Sequence, residues 1–213
     1  MSDAPTHQPT PTPTPASVTV KRLDGGSLRA LAHPLRVRIL SVLRGQGPAT
    51  ATILGQRLGA SSGATSYHLR VLAEHGFVVD EPARNRGRER WWRAAQDMTS
   101  WQPEQFLDDP DEQAAEQWLT GFHIRETMTW LDDWLAQRPS YDPAWVAVSD
   151  QSDYRLVMTP DQVRAMLDEL HEVIGRYVDE TGGARPDPAA LPADARPLRL
   201  LLFAFPRDDE GAR

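Results

Sequence analysis

The chain has 213 residues, of which 40% are hydrophobic and 25% are charged, so it can build one or two domains with apolar cores. It contains no cysteine, which excludes disulfides, thiolate metal sites and cysteine nucleophiles and favours a cytoplasmic location. No apolar run approaches the length of a membrane span, and the N-terminus lacks the pattern of a secretion signal. We therefore expect a protein that has no membrane partner.

The charge is distributed unevenly along the chain, although the total is only −7. Between Lys21 and Arg93 there are 13 basic and 5 acidic residues, whereas from Ala94 to Arg213 there are 10 basic and 24 acidic residues. A basic segment followed by an acidic one is typical of a nucleic-acid-binding part joined to a part that avoids nucleic acid. The alternative is chance variation on a generally acidic surface.

Within residues 1–17, proline and threonine alternate from Pro9 to Pro15. This pattern forms neither a helix nor a packed strand, so the segment is predicted to be a disordered tail. Residues 18–95 follow as a first predicted domain. Its expected elements, in chain order, are a short strand at 18–20, helices at 27–32, 35–43, 51–58 and 62–75, and strands at 77–79 and 89–93. Thr50 and Ser61 or Ser62 are predicted helix caps, and Gly59 and Gly76 are predicted helix ends.

The last three of these helices, followed by the hairpin, have the order of a winged helix-turn-helix, in which the third helix of the motif, here 62–75, enters the major groove of DNA. That helix opens with small polar residues, which let the backbone approach base edges and phosphates. The predicted DNA-facing residues of this helix are Ser61, Ser62, Gly63, Ser66, Tyr67 and Arg70. The turn of the hairpin adds three arginines suited to phosphate or minor-groove contact: Arg84, Arg86 and Arg88.

At these positions the sequence resembles the ArsR-type winged-helix repressors of bacteria. The matching stretches are Leu31-Ala32-His33-Pro34-Leu35-Arg36, Ile39-Leu40, Leu58-Gly59-Ala60-Ser61, Thr65-Ser66-Tyr67-His68-Leu69-Arg70-Val71-Leu72 and Gly76-Phe77-Val78. The resemblance covers about residues 23 to 95 and implies a homodimeric repressor that binds a pseudo-palindromic operator in double-stranded DNA. Some relatives sense metal ions, usually through cysteines that this chain lacks, and its C-terminal part is longer than in minimal members. The chain is more similar to the larger winged-helix regulators that are common in actinobacteria.

Residues 96–213 are predicted to be an α+β domain for dimerisation and effector binding. Its expected elements are a helix at 110–137, strands at 145–149 and 154–158, a helix that begins with the capping box Thr159-Pro160-Asp161-Gln162, and a strand at 198–205. The long helix has two apolar stripes and must be covered on two sides. The stripe predicted to meet a second copy of the chain is Ile124, Met128, Leu131 and Leu135.

The other stripe is aromatic and has two interpretations. Its members are Trp118, Phe122, Trp130 and Trp134. They line either a pocket for a small apolar effector or a dimer or interdomain core.

No cofactor, metal site or catalytic activity is expected. His33, His68, His75, His123 and His171 do not have the spacing of metal ligands, and no phosphate loop or nucleophile motif is present. The alternative to a repressor is a constitutive or architectural DNA-binding protein. In that case the C-terminal domain is a protein-interaction module.

Overall fold

A computed structural model describes residues 18–82, 89–181 and 191–207. Its first part contains four helices: α1 (Gly25–Leu31), α2 (Pro34–Gln46), α3 (Ala51–Leu58) and α4 (Ser62–Glu74). Five short strands accompany them: β1 (Val20–Arg22), β2 (Ala49–Thr50), β3 (Val78–Asp80), β4 (Trp91–Ala94) and β5 (Met98–Ser100). The predicted order of helices and hairpin strands in this part of the chain is confirmed.

The strands form two sheets. In the three-stranded antiparallel sheet β4 lies between β2 and β3, with Val79 opposite Arg93. In the second sheet β1 runs parallel to β5, with Val20 opposite Met98. The pairing of β3 with β4 is the hairpin of a winged helix, and β2 ties its base to the start of α3.

Side-chain caps explain where the helices begin. The Asp24 carboxylate accepts a hydrogen bond from the Ser27 N–H at 2.7 Å, which begins α1 and lowers the pKa of Asp24 below its ordinary value. The Thr50 hydroxyl accepts from the Ile53 N–H at 3.3 Å and begins α3, as predicted. Gly59, with φ +65°, ends α3 in the left-handed region, also as predicted.

One continuous apolar core underlies these elements. Its largest fully buried side chains include Phe77 of the segment before β3 and Leu69 of α4. The same cluster includes Phe106, Leu119 and Phe122, so the core continues beyond residue 95, where the sequence predicts a domain boundary.

Three further helices follow the hairpin: α5 (Pro110–Gln137), α6 (Pro143–Ala147) and α7 (Pro160–Glu180). The bounds of α5 are those predicted from the sequence. Helix α7 begins at the predicted capping box, in which Thr159 and Gln162 exchange hydrogen bonds of 3.3 and 2.9 Å.

The predicted strands of the C-terminal part are wrong, since all strands of the described residues lie before residue 101. Residues 143–147 form α6 instead, because Asp142 caps the Ala144 N–H at 2.8 Å and Pro143 occupies the first helical position. Residues 154–158 and 198–205 have no regular structure. A strand needs a hydrogen-bonded neighbour, and no described strand pairs with these apolar runs. The α+β interpretation of this part is therefore not supported.

Candidate nucleic-acid interface

The turn between α3 and α4 is tight and depends on its glycines. A Cβ atom at Gly55 would lie 2.7 Å from the Ala60 carbonyl oxygen, so a larger residue there would displace the turn. Ser61 caps α4 by accepting from the Ala64 N–H at 3.2 Å. The buried Thr65 hydroxyl donates to the Ala51 carbonyl at 2.7 Å, which fixes α4 against the start of α3.

The two faces of α4 differ as the sequence predicts. Thr65, Leu69 and Leu72 are buried against the preceding helices, and His68 joins them. The residues predicted to face DNA lie on the other side: Ser61, Ser62, Gly63, Tyr67 and Arg70 are exposed, and Ser66 is half-buried. Tyr67 is a large aromatic ring that remains 55% exposed, and such a ring is available for contact with a partner.

A cleft of about 330 Å³ opens beside this face, between α4, the start of α3 and the hairpin strand β4. We call it the wing cleft. It is lined by Thr50, Ala51, Thr52, Ser66, Arg70, Glu89, Arg90 and Trp92. The sequence predicts Ser66 and Arg70 as site residues but does not indicate Thr52 and Glu89. These two side chains come together only because β2 pairs with β4.

The base of the hairpin is held by charged side chains. The Arg90 guanidinium lies 3.2 Å from the Asp80 carboxylate and 4.0 Å from the Trp92 ring centroid. Arg93 pairs with Glu81 at 3.1 Å. The predicted wing residues Arg84, Arg86 and Arg88 lie outside the described residues.

A histidine pair lies behind the recognition face. His33 caps α2 because its Nδ1 accepts from the Leu35 N–H at 3.1 Å, and its ring centroid lies 4.3 Å from that of His68. Burial lowers the pKa of both rings, and the positive charge of Arg36 lowers them further. Neutral imidazoles fit this contact, as the capping bond requires an unprotonated Nδ1.

Helix α5 is joined to the winged helix by charged and polar contacts. Arg29 pairs with Glu112 at 2.7 Å, and Arg38 pairs with Glu126 at 2.8 Å. The buried Glu116 carboxylate accepts from the Trp101 Nε1–H at 3.0 Å. These contacts fix which face of α5 turns towards the core and which turns away.

The stripe predicted for dimerisation is on the outward face of α5. Ile124, Met128 and Leu135 are 42%, 44% and 42% exposed, while Leu131 is half-buried. These apolar side chains are therefore accessible to a partner.

The aromatic stripe does not form one lining in the structure. Trp118 stacks on Phe122 with a centroid distance of 5.2 Å, Trp130 lies 3.7 Å from the Arg199 guanidinium, and Trp134 meets Tyr141 edge-on. The effector pocket stays a prediction. Among the described residues, no group of three or more His, Asp or Glu side chains could hold a metal ion. The described helices include none that is long and apolar enough to cross a membrane.

Comparisons with known proteins agree with the first part of this fold. Residues 31–81 match the family described as a helix-turn-helix domain. The HTH-type transcriptional regulator NmtR of Mycobacterium tuberculosis (strain ATCC 25618 / H37Rv) is 44% identical over 57 residues, which are 27% of this chain. The chain spans 47%, about half, of the length of this curated relative.

Two solved structures are also similar. The homodimeric winged helix-turn-helix DNA-binding domain Mb0332 from Mycobacterium bovis, described as a possible ArsR-family transcriptional regulator, is 20% identical with a TM-score of 0.30. That match covers 50% of this chain and 79% of the domain. A possible transcriptional regulator for arsenical resistance is 28% identical with a TM-score of 0.29, covering 56% of this chain and 98% of its own.

The matched segment defines the class: residues 31–81 are a helix-turn-helix domain. With the hairpin of β3 and β4, this segment has the architecture of a winged helix-turn-helix.

Proposed function

We propose that this chain is a sequence-specific transcriptional repressor that binds a pseudo-palindromic DNA operator as a homodimer. The observation that carries the proposal is the exposed face of α4, where small polar residues at its start are followed by Tyr67 and Arg70. Small residues allow close approach to the major groove, and an arginine can donate two hydrogen bonds to a guanine edge. The name of the relative NmtR, a transcriptional regulator, supports the same function.

The charge distribution supports binding to DNA through this face. The strongly basic segment between Lys21 and Arg93 coincides with the winged helix, while the acidic excess lies in the part of the chain after it. Duplex DNA therefore attracts one part of the molecule and repels the other, which orients the protein before base contacts form. A repressor of the chromosome acts in the cytoplasm of a bacterium, so we place the protein there.

The dimer part of the proposal rests on α5. A single helix-turn-helix makes few base contacts, and such modules usually pair to read two half-sites about 34–36 Å apart. Ile124, Met128 and Leu135 form an exposed apolar row on the side of α5 that faces away from the core. Two such rows can bury each other around a twofold axis. No cofactor is needed for this function, and no catalytic step is part of it.

The test is selection of bound duplexes from a randomised library by the full chain, followed by titration of the selected duplex. Arg70→Ala should cost about 1–3 kcal/mol of binding free energy and relax the preference at one base pair. Glu74→Gln, at an exposed position near the end of the same helix, is the matched control. It should retain the parent's affinity and base preference. Failure to enrich any sequence would reject sequence-specific binding, and an Arg70→Ala variant with the parent's preference would reject the assigned contact.

A further inference from the structure

The wing cleft contains a carboxylate where a DNA-binding surface would be expected to contain only donors and cations. Glu89 is exposed and lines the cleft together with Arg70 and Arg90. Its Oε1 accepts a hydrogen bond from the Thr52 hydroxyl at 3.3 Å. The carboxylate is thereby held towards the first turn of α3.

Glu89 reduces the positive charge of the wing cleft, which two arginines and this one carboxylate line. Arg90 is already paired with Asp80 and lies over the Trp92 ring. Arg70 forms no salt bridge with any described residue, so it is the cation of the cleft that remains to meet an anion. Glu89 places a negative charge in the same cleft, and it therefore offsets the attraction of Arg70 for a phosphate.

We propose that Glu89 is an affinity-setting residue of the DNA interface, which opposes the sequence-independent attraction of the DNA backbone to the wing cleft. This inference rests on the proposed function. Sequence-independent binding is almost entirely electrostatic, and its strength and salt dependence follow the number of phosphates that are neutralised. A fixed carboxylate beside Arg70 and Arg90 lowers that number. The protein is then less strongly retained by arbitrary chromosomal DNA.

The test is Glu89→Gln, which removes the charge and keeps an oxygen that accepts from Thr52. We expect the full-length variant to bind a mixed-sequence duplex of about 30 base pairs about two- to fivefold more tightly than the parent, the range of an exposed ion pair. Because one more phosphate is neutralised, the slope of log K against log salt should steepen by up to about 0.9. The selected operator duplex should gain affinity by a similar factor, since the backbone is the same in both.

The matched control is Glu104→Gln, at an exposed position of the 3₁₀ turn Pro103–Phe106. It changes the net charge equally but does not line the wing cleft. It should have the parent's affinity and salt slope. If the parent binds duplexes and Glu89→Gln has equal or weaker affinity with an unchanged slope, the inference is overturned while the proposed function stands. If Glu104→Gln gains as much as Glu89→Gln, the effect is one of total charge and the inference is also overturned. If the parent binds no duplex, the proposed function itself fails.

Discussion

The imidazole rings of His33 and His68 lie with their centroids 4.3 Å apart, and this contact joins the beginning of α2 to the buried face of α4. His33 also caps α2, and Tyr67 lies edge-on to His68 with a centroid distance of 5.1 Å. The histidine pair therefore connects α2 to α4, the helix that carries the predicted DNA-facing residues. Besides burial, the positive charge of Arg36 on α2 lowers the pKa of both rings, and Tyr67 of α4 acts in turn on Arg36.

This contact predicts a loss of stability in mild acid. Burial lowers the pKa of both rings below the ordinary 6.5. Between the lowered values and 6.5, the unfolded chain binds protons that the folded chain does not, so the free energy of unfolding falls as the pH falls. Its full value is present above pH 6.5 and is lost below it. Thermal unfolding between about pH 8 and pH 5.5 should show a falling midpoint.

His33→Asn tests the assignment, because asparagine keeps a capping oxygen but cannot titrate. The variant should have a shallower fall in midpoint than the parent. Some slope should remain, since burial also lowers the pKa of His68 and His123. Ser61→Ala is the control: it removes a cap worth about 0.5–2 kcal/mol but no titrating group. Its curve should lie lower and parallel to that of the parent. A parent midpoint that is flat below pH 6.5 would contradict the prediction.

The sequence predicts where these helices begin and end because their boundaries are set by local chemistry. Thr50, Gly59, Ser61 and Thr159 each act on a backbone group within four residues, so their roles can be recognised without a structure. The exposed face of α4, which is predicted to meet DNA, follows in the same way from helical periodicity. The Glu89 bond to Thr52 spans 37 residues and arises only when the hairpin folds back onto α3. No local pattern contains that information.

The strands expected after residue 140 were wrong for a related reason. An apolar run such as 198–205 has no hydrophobic periodicity that distinguishes a strand from an irregular segment. Its secondary structure depends on what packs against it. Residue Val157 is 98% exposed, which shows that apolar character did not lead to burial within this chain. At 143–147, Asp142 and Pro143 are a local signal for the start of a helix. The strand was predicted there because Trp145 and Val146 are apolar.

Glu116 should be important for stability, because its buried carboxylate satisfies two donors. It accepts from the Trp101 Nε1–H at 3.0 Å and from the Thr120 hydroxyl at 2.6 Å. Glu116→Ala leaves the partly buried indole N–H without this acceptor, and we expect a loss of about 1–3 kcal/mol in the free energy of unfolding by urea. Asp133→Ala, at an exposed carboxylate on the same helix, should stay within about 0.5 kcal/mol of the parent. Equal stability of the two variants would show that the Trp101 bond contributes nothing.

The arginine-rich turn should supply backbone contacts. Arg84, Arg86 and Arg88 carry three positive charges within five residues of the predicted wing. Replacing all three with alanine should weaken binding to operator and mixed-sequence duplexes alike and flatten the salt dependence, since phosphate contacts are independent of sequence. The measurement is a duplex titration at several salt concentrations. If the triple variant has the parent's slope of log K against log salt, the wing lies outside the interface. Arg164→Ala on α7 is the control for the loss of a surface arginine.

The apolar row on α5 should hold the dimer together. Ile124, Met128 and Leu135 are each more than 40% exposed, and they lie on the side of α5 away from the core residues Leu119 and Phe122. Because these side chains lie outside the buried core of one chain, charge placed there disturbs an interface between chains more than the fold of one chain. Ile124→Glu combined with Met128→Glu should therefore give a folded monomer by light scattering.

The same double variant should stay folded with an intact helical signal, and its operator binding should fall because one half-site cannot hold it firmly. Ala136→Glu adds a charge to an exposed position about a third of a turn off the row, so it should leave the dimer intact. Loss of folding in the double variant would place the row inside one subunit. A parent chain that is monomeric at micromolar concentration would end the dimer proposal, whatever the variants do.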